Sequence, residues 1–210
     1  MSESEATIFV VDDDPGVRQS LEMLIRAIGQ SVETYASAGE FLDAYTSERP
    51  GCLVLDLRMP GMSGLELQEE LGSRGSNLPV IFITAHGDVP TAVDAVKGGA
   101  IDFIQKPFRD QDLIEKIELA LEQNERALEE TAERGDVQAR VASLTSRERQ
   151  VMDIVVDGKT NKAMATELRL SERTVEIHRA RVMSKMGAES LADLVKMALR
   201  ARGDGSPPAG

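Results

Sequence analysis

Four short apolar runs separated by helix-length segments constrain this chain more than any other feature. They are Thr7–Val11, Cys52–Leu55, Val80–Thr84 and Ile101–Ile104, and a weaker run, Ser31–Tyr35, fits between the first two. β-branched and aromatic residues dominate them, so each predicts a strand. Helix starts are legible between them. Ser37 to Glu40 and Ser63 to Glu66 have capping-box spacing, and Asp14–Pro15 offers a cap followed by an N1 proline. Continuous apolar strands with helical crossovers predict a parallel sheet covered on both faces. Five such units predict a doubly wound α/β domain, whose functional residues belong at the strand ends.

The residues at those ends point to a chemistry. Asp12, Asp13 and Asp14 follow the first strand, Asp56 ends the third, Thr84 ends the fourth, and Lys106 follows the fifth, before Pro107. Parallel strands bring these side chains to one edge. Clustered carboxylates are costly to enclose unless a cation neutralises them. Two or three hard oxygen ligands that leave room for waters suit magnesium. A lysine and a hydroxyl beside the metal suit a phosphoryl group, and a carboxylate can itself be the nucleophile, forming an acyl phosphate. The plainer alternative is that the carboxylates only cap helices.

Charge then divides the chain. The whole carries −12, which argues mildly against nucleic acid. Residues 1–123 hold 9 Lys+Arg against 22 Asp+Glu, whereas residues 143–210 hold 12 against 9. A sign change of this kind predicts two functions on one chain. Between them, a helix beginning near Asp110 carries Leu113, Ile117, Leu121 and Leu128 at helical spacing, then turns polar. We expect residues 124–142 to be a helical linker with a break near Gly135. The segment 203–210, GDGSPPAG, reads as a disordered tail. One cysteine, Cys52, excludes an internal disulfide, and two histidines exclude a multi-histidine metal centre. No apolar run reaches transmembrane length, and the polar start resembles no signal peptide, so a cytoplasmic protein is expected.

Residues 143–202 show helical patterns only. Thr145 to Glu148 is a capping box opening a helix through Val156, and Thr160 opens a second through Leu168. A tight turn at Leu170–Ser171 precedes a third, about Glu172 to Met186, and a fourth spans about Ser190 to Arg202. The fourth carries a stripe of Leu191, Leu194, Val195 and Ala198, which either covers the domain's own core or pairs two copies. Two short helices, a turn and a polar helix predict a helix-turn-helix. From Lys159 to Gly187 seven basic residues face three acidic ones, an excess suited to phosphate contacts.

The motifs VVDDDPG, LVLDLRMPGMSGLEL, VIFITAHGD and GAIDFIQKPF resemble those of response-regulator receiver domains. The resemblance implies a flavodoxin-like sheet of order 2-1-3-4-5 over residues 1–123. It implies Asp12 and Asp13 as a Mg2+-binding pair completed by Asp56 and the Arg58 backbone carbonyl. Asp56 becomes the phosphoacceptor, Thr84 and Lys106 contact the phosphoryl oxygens, Lys106–Pro107 is cis, and Phe103 is a switch aromatic moving with Thr84. The plainer alternative for Phe103 is core packing, and His86 reads as a structural loop histidine or, less simply, a residue acting on acyl-phosphate hydrolysis.

The run LTSRERQVMDIVVDGKTNKAMATELRLSERTVEIHRARVMSKM resembles the LuxR/FixJ-type output domain, a four-helix helix-turn-helix. Together the two halves resemble FixJ/NarL regulators, nearest the FixJ-like branch. That implies a sensor histidine kinase and promoter DNA as partners, dimerisation on phosphorylation, activation through RNA polymerase, and no enzymatic turnover beyond self-phosphorylation and auto-dephosphorylation. In the third helix, Glu176, Ile177 and Ala180 are expected near base edges. Arg173 and Arg181 share that outer face, and Lys162, Thr174, Arg179 and Lys185 are expected at phosphates. His178 falls between the buried and exposed faces. Two other functions remain open at this point, a magnesium-dependent aspartyl-phosphate phosphatase and a phosphate sink or adaptor that does not touch DNA.

Overall fold

Side chains that alternate in direction along continuously apolar strands explain the layers of the first unit. The computed structural model describes residues 6–47, 49–85 and 100–202. The chain divides into two compact units, 1–128 and 129–210. In the first, strands β1 (Thr7–Val11), β2 (Ser31–Tyr35), β3 (Gly51–Asp56), β4 (Val80–Thr84) and β5 (Asp102–Gln105) form one parallel sheet of order β2-β1-β3-β4-β5. Phe9, Val11, Leu53, Leu55 and Phe82 point to one face, where α2 (Ala38–Ala44) and α3 (Gly64–Ser73) cover them with Phe41, Leu67 and Leu71. Ile8, Val10, Cys52, Val54 and Ile81 point to the other, under Leu21 and Ile25 of α1 (Pro15–Ala27) and Leu113 and Ile117 of α4 (Asp110–Ala142). Period-two side chains thus feed two cores from one sheet. Cys52 is wholly buried, and burial pushes its thiol up to about 12.

The caps act as read. Asp14 accepts the N–H groups of Gly16 and Val17 ahead of Pro15, and Ser63 and Glu66 form a complete capping box. At Ser37 the hydroxyl caps Glu40, while the Glu40 carboxylate instead takes the Ala36 N–H. β5 begins one residue later than expected, because Ile101 donates to the Val80 carbonyl but the paired register starts at Asp102. The segment 86–99, with His86 and the helix expected before β5, lies outside the described residues, as does the tail 203–210.

The expected break near Gly135 is not there. α4 runs unbroken from Asp110 to Ala142. One helical glycine costs only about 1 kcal/mol relative to alanine. The Glu, Arg, Gln and Ala around it are good helix formers, and Arg140 pairs with Asp136 at i,i+4. The two ends of α4 are also less linker-like than their polarity suggested. Asn124 is buried in the first unit and accepts the Gly51 N–H at 2.9 Å. Val137 is buried in the core of the second unit, beside Leu144, Val151 and Met164.

The second unit continues with α5 (Ser146–Val156), α6 (Asn161–Leu168), α7 (Glu172–Met186) and α8 (Leu191–Arg202), the four helices expected. Its core takes Val151 and Val155 from α5, Met164 from α6, and Val175, Val182 and Met186 from α7. Leu194 of α8 joins that core and Ala198 is buried as well, so this part of the α8 stripe serves its own domain, while Leu191 stays exposed.

Candidate functional site

Strand register assembles the first site. Val11 of β1 lies opposite Leu55 of β3, so Asp12, the next residue, sits beside Asp56. Asp56 in turn pairs with Ile83, and Thr84 with Gln105, which places Lys106 one step beyond. Four neighbouring strands therefore end in Asp12, Asp56, Thr84 and Lys106. Asp12 is 3% exposed, Asp56 9% and Thr84 2%. The Lys106 ammonium bridges the carboxylates, at 2.8 Å from Asp12 Oδ2 and 3.1 Å from Asp56 Oδ1. The backbone holds the other oxygens: the Asp14 N–H donates to Asp12 Oδ1 at 2.9 Å and the Arg58 N–H to Asp56 Oδ2 at 2.8 Å. The Lys106–Pro107 bond is cis.

Electrostatics follow from this packing. Burial raises the Asp56 carboxyl above its ordinary range, against the opposing pull of the Arg58 N–H and Lys106, and the Asp12 carboxylate adds to the rise. Burial alone would lower the Lys106 ammonium, but hydrogen bonds to Asp12 and Asp56 prevail and raise it. One ammonium thus faces two nearly buried carboxylates, with Asp13 exposed next to them. Each carboxylate oxygen of the pair has one donor, which leaves lone pairs for a hard cation. Among the described residues no three such groups form a ready cage. Magnesium does not require one, since it binds through one or two carboxylates and keeps waters. The donor set therefore fits that ion.

Two more residues shape this edge. Arg18 of α1 donates to the Asp12 backbone carbonyl at 2.7 Å, a contact whose only sequence trace is a basic residue six positions after Asp12. Phe103 is half-buried, opposite Phe82 in the sheet register and packed on the α2–α3 side of the core.

The second site is the outer face of α7. Arg173, Ile177, Ala180 and Ser184 recur at i, i+4, i+7 and i+11, and all are exposed, as are Glu176 and Arg181. Ile177 is 47% exposed, a large apolar side chain presented to solvent in the middle of a charged helix. Ser171 caps the helix by accepting from the Thr174 N–H, and its hydroxyl also pairs with that of Thr174. The residues expected at phosphates separate into two kinds. Lys162 is exposed and has no side-chain partner among the described residues. Arg179 flanks the buried stripe and bonds the Asn161 side chain. Lys185 pairs with Glu148 at 2.7 Å and with the Ser143 carbonyl at 3.2 Å. His178 is half-buried, and its Nδ1 has no partner among the described residues.

Comparison with known proteins assigns both halves. Residues 8–118 match the response regulator receiver domain and residues 142–198 match the bacterial regulatory proteins of the luxR family. The transcriptional regulatory protein FixJ of Rhizobium meliloti is 49% identical over 93% of this chain and 96% of its own. That of Bradyrhizobium diazoefficiens is 47% identical over 92% and 95%. The chain belongs to the FixJ-like response regulators. The solved structure of the response regulator StyR, 45% identical, covers 92% of this chain with a TM-score of 0.84. A FixJ-like regulator is a two-component transcription factor, with a receiver domain and a LuxR-type DNA-binding domain, and not an enzyme of ordinary kind. Among the described residues no helix is long and apolar enough to cross a membrane.

Sequence patterns missed what holds this FixJ-like regulator's DNA-binding unit together. Glu148 was legible as half of a capping box, and it does accept the Thr145 N–H at 2.9 Å. Its side chain is also nearly buried and takes Lys185 from the end of α7. Lys185, then the Thr145 backbone N–H, hold the carboxyl well below its usual 4.5, at about 2. Arg140 of α4 donates to the Met186 carbonyl at 2.9 Å, so two side chains fasten the C-terminal end of α7. The only local signal was the pair Val137 and Val141 at i,i+4.

A pH dependence follows, with its sign. A carboxyl depressed in the folded state contributes stability above its unfolded value and loses it as pH falls through the folded value. Lys185→Met should therefore destabilise the protein most at neutral pH. The gap to wild type should narrow from about pH 4.5 and close near pH 2. Urea unfolding followed by circular dichroism across that range checks it, and a gap independent of pH would contradict the pairing.

Proposed function

We propose that phosphorylation of Asp56 switches this regulator between a resting form and a form that dimerises and binds promoter DNA. The observation carrying the proposal is the bridge from Lys106 to both Asp12 and Asp56 at the ends of adjacent strands. A sensor kinase presents a phosphorylated histidine. An Asp56 carboxylate oxygen attacks phosphorus in line, the P–N bond breaks, and its electron pair returns to the imidazole, which takes up a proton. The product is an acyl phosphate. Asp12, Asp13, Asp56 and the Arg58 carbonyl would hold Mg2+, which would supply charge neutralisation at the phosphoryl oxygens. Lys106 transfers its hydrogen bonds from the carboxylates to the new phosphate. The Thr84 hydroxyl donates to a phosphoryl oxygen, and Phe103 moves into the space that Thr84 leaves. This is a two-state population shift.

On the output side, Glu176, Ile177 and Ala180 read base edges in the major groove. Glu accepts from cytosine, and Ile177 packs on a thymine methyl. Lys162, Arg173 and Arg181 contact phosphates. Thr174, Arg179 and Lys185 contribute mainly by fixing the helix, since each is already engaged within the domain. Two such helices in a dimer read two related half-sites, and the bound activator recruits RNA polymerase in the cytoplasm.

Selecting bound duplexes from a random pool, with and without acetyl phosphate, tests this reading. We expect a symmetric site enriched more strongly with the phosphodonor. Enrichment indifferent to acetyl phosphate would overturn phosphorylation control, and no enrichment in either arm would overturn DNA reading.

A further inference from the structure

Backbone geometry singles out one residue of the helix-turn-helix. Arg169, the C-cap of α6, has φ 55 and ψ 47, in the left-handed region. It is the only non-glycine with positive φ among the described residues. The equivalent bends after α5 and α7 use Gly158 and Gly187. Glycine adopts this conformation freely, whereas an L side chain is strained there.

Among the described residues nothing offsets the strain. The capping role belongs to the backbone, whose N–H donates to the Ala165 and Thr166 carbonyls, and glycine would do the same. The guanidinium is exposed and has no hydrogen bond or ion pair among the described residues. Several neighbouring cations, by contrast, are engaged: Arg147 with the Leu168 carbonyl, Lys159 with Glu167, Arg179 with Asn161 and Lys185 with Glu148. A strained residue without a compensating contact in the free protein points to one made elsewhere.

Position says where. Arg169 lies two residues before Ser171, the N-cap of α7, and just ahead of exposed Arg173. The N-terminal end of a recognition helix enters the major groove, so the turn before it runs beside the phosphates at the groove mouth. We propose that Arg169 is a DNA-phosphate contact, kept in a strained turn where glycine would fold better. The inference rests on the DNA-binding reading above and adds a contact to it. A phosphate contact adds affinity and salt dependence without sequence preference.

The test uses the full chain, Arg169→Gly and Arg169→Lys, with random-sequence duplex as the probe. Thermal melting and binding across a salt series are read together. Arg169→Gly should melt higher by about 4 °C, from relieved strain. It should bind several-fold more weakly at low salt, with a salt slope shallower by about 0.9. Arg169→Lys should keep the slope and the wild-type melting temperature. A glycine variant that binds with wild-type affinity and slope, or that melts no higher, overturns the proposal. Failure of the wild type to bind any duplex overturns the underlying DNA reading as well, which separates the two failures.

Discussion

Asp56→Asn abolishes labelling by acetyl phosphate, read by intact-mass spectrometry or radiolabel. Asparagine keeps the shape and an oxygen for the Arg58 N–H, but an amide oxygen is a poor nucleophile and carries no charge for Lys106 to orient. The loss should be complete, not graded. A stability measurement separates this chemistry from misfolding. The folded state raises the Asp56 carboxyl, chiefly by burying it, so the ionised side chain is worse off folded than unfolded. At neutral pH the uncharged variant should therefore melt no lower than wild type. The difference should shrink as pH drops into the range where aspartate protonates. Stoichiometric labelling of this variant would sink the assignment of Asp56, and Asp12 would become the residue to examine.

Gly51→Ala should be the most destabilising single substitution proposed for the receiver. Gly51 opens β3 with φ 153, and a Cβ there would stand 1.8 Å from the Thr7 carbonyl oxygen and 3.2 Å from the Phe9 ring. Neither neighbour can yield. Thr7 and Phe9 belong to the interior strand β1, with Phe9 wholly buried between Phe41 and Tyr45. The substitution forces β1 and β3 apart and pulls the Gly51 N–H from Asn124. We expect a loss of about 3 kcal/mol or more. Because the same two strands carry Asp12 and Asp56 at their far ends, phosphorylation should slow as well. Denaturant unfolding reads the first effect and acetyl phosphate kinetics the second. A midpoint equal to wild type would contradict the close approach of the two strands at Gly51.

The fold was largely legible because its signals are local. Apolar runs, Asp14–Pro15 and the Ser63–Glu66 box each act within a few residues, and the five strands and the four C-terminal helices stand within a residue or so of where the pattern put them. The phosphoacceptor edge was legible for a different reason, since a parallel sheet converts strand ends into neighbours. What escaped was tertiary. Gly135 reads as a breaker by propensity alone, and good helix formers around it outweigh one glycine. Glu148 and Lys185 lie 37 residues apart, so no spacing rule links them. Residue type and helical position alone put Lys185 at a phosphate, whereas in the fold it pairs with Glu148. The same blindness hid Arg169, because sequence shows the residue type but not the sign of φ.

Cys52 carries a practical consequence. A thiol reacts as its thiolate, and this one is buried in the central sheet with its proton held until about pH 12. At neutral pH the native protein is therefore silent to maleimides and other thiol probes. A cysteine placed anywhere on the surface becomes the only site to take a dye or spin label, with no background residue to remove first. Receiver and recognition helix can each carry a reporter in an otherwise natural chain, and the response to a phosphodonor can be followed in real time.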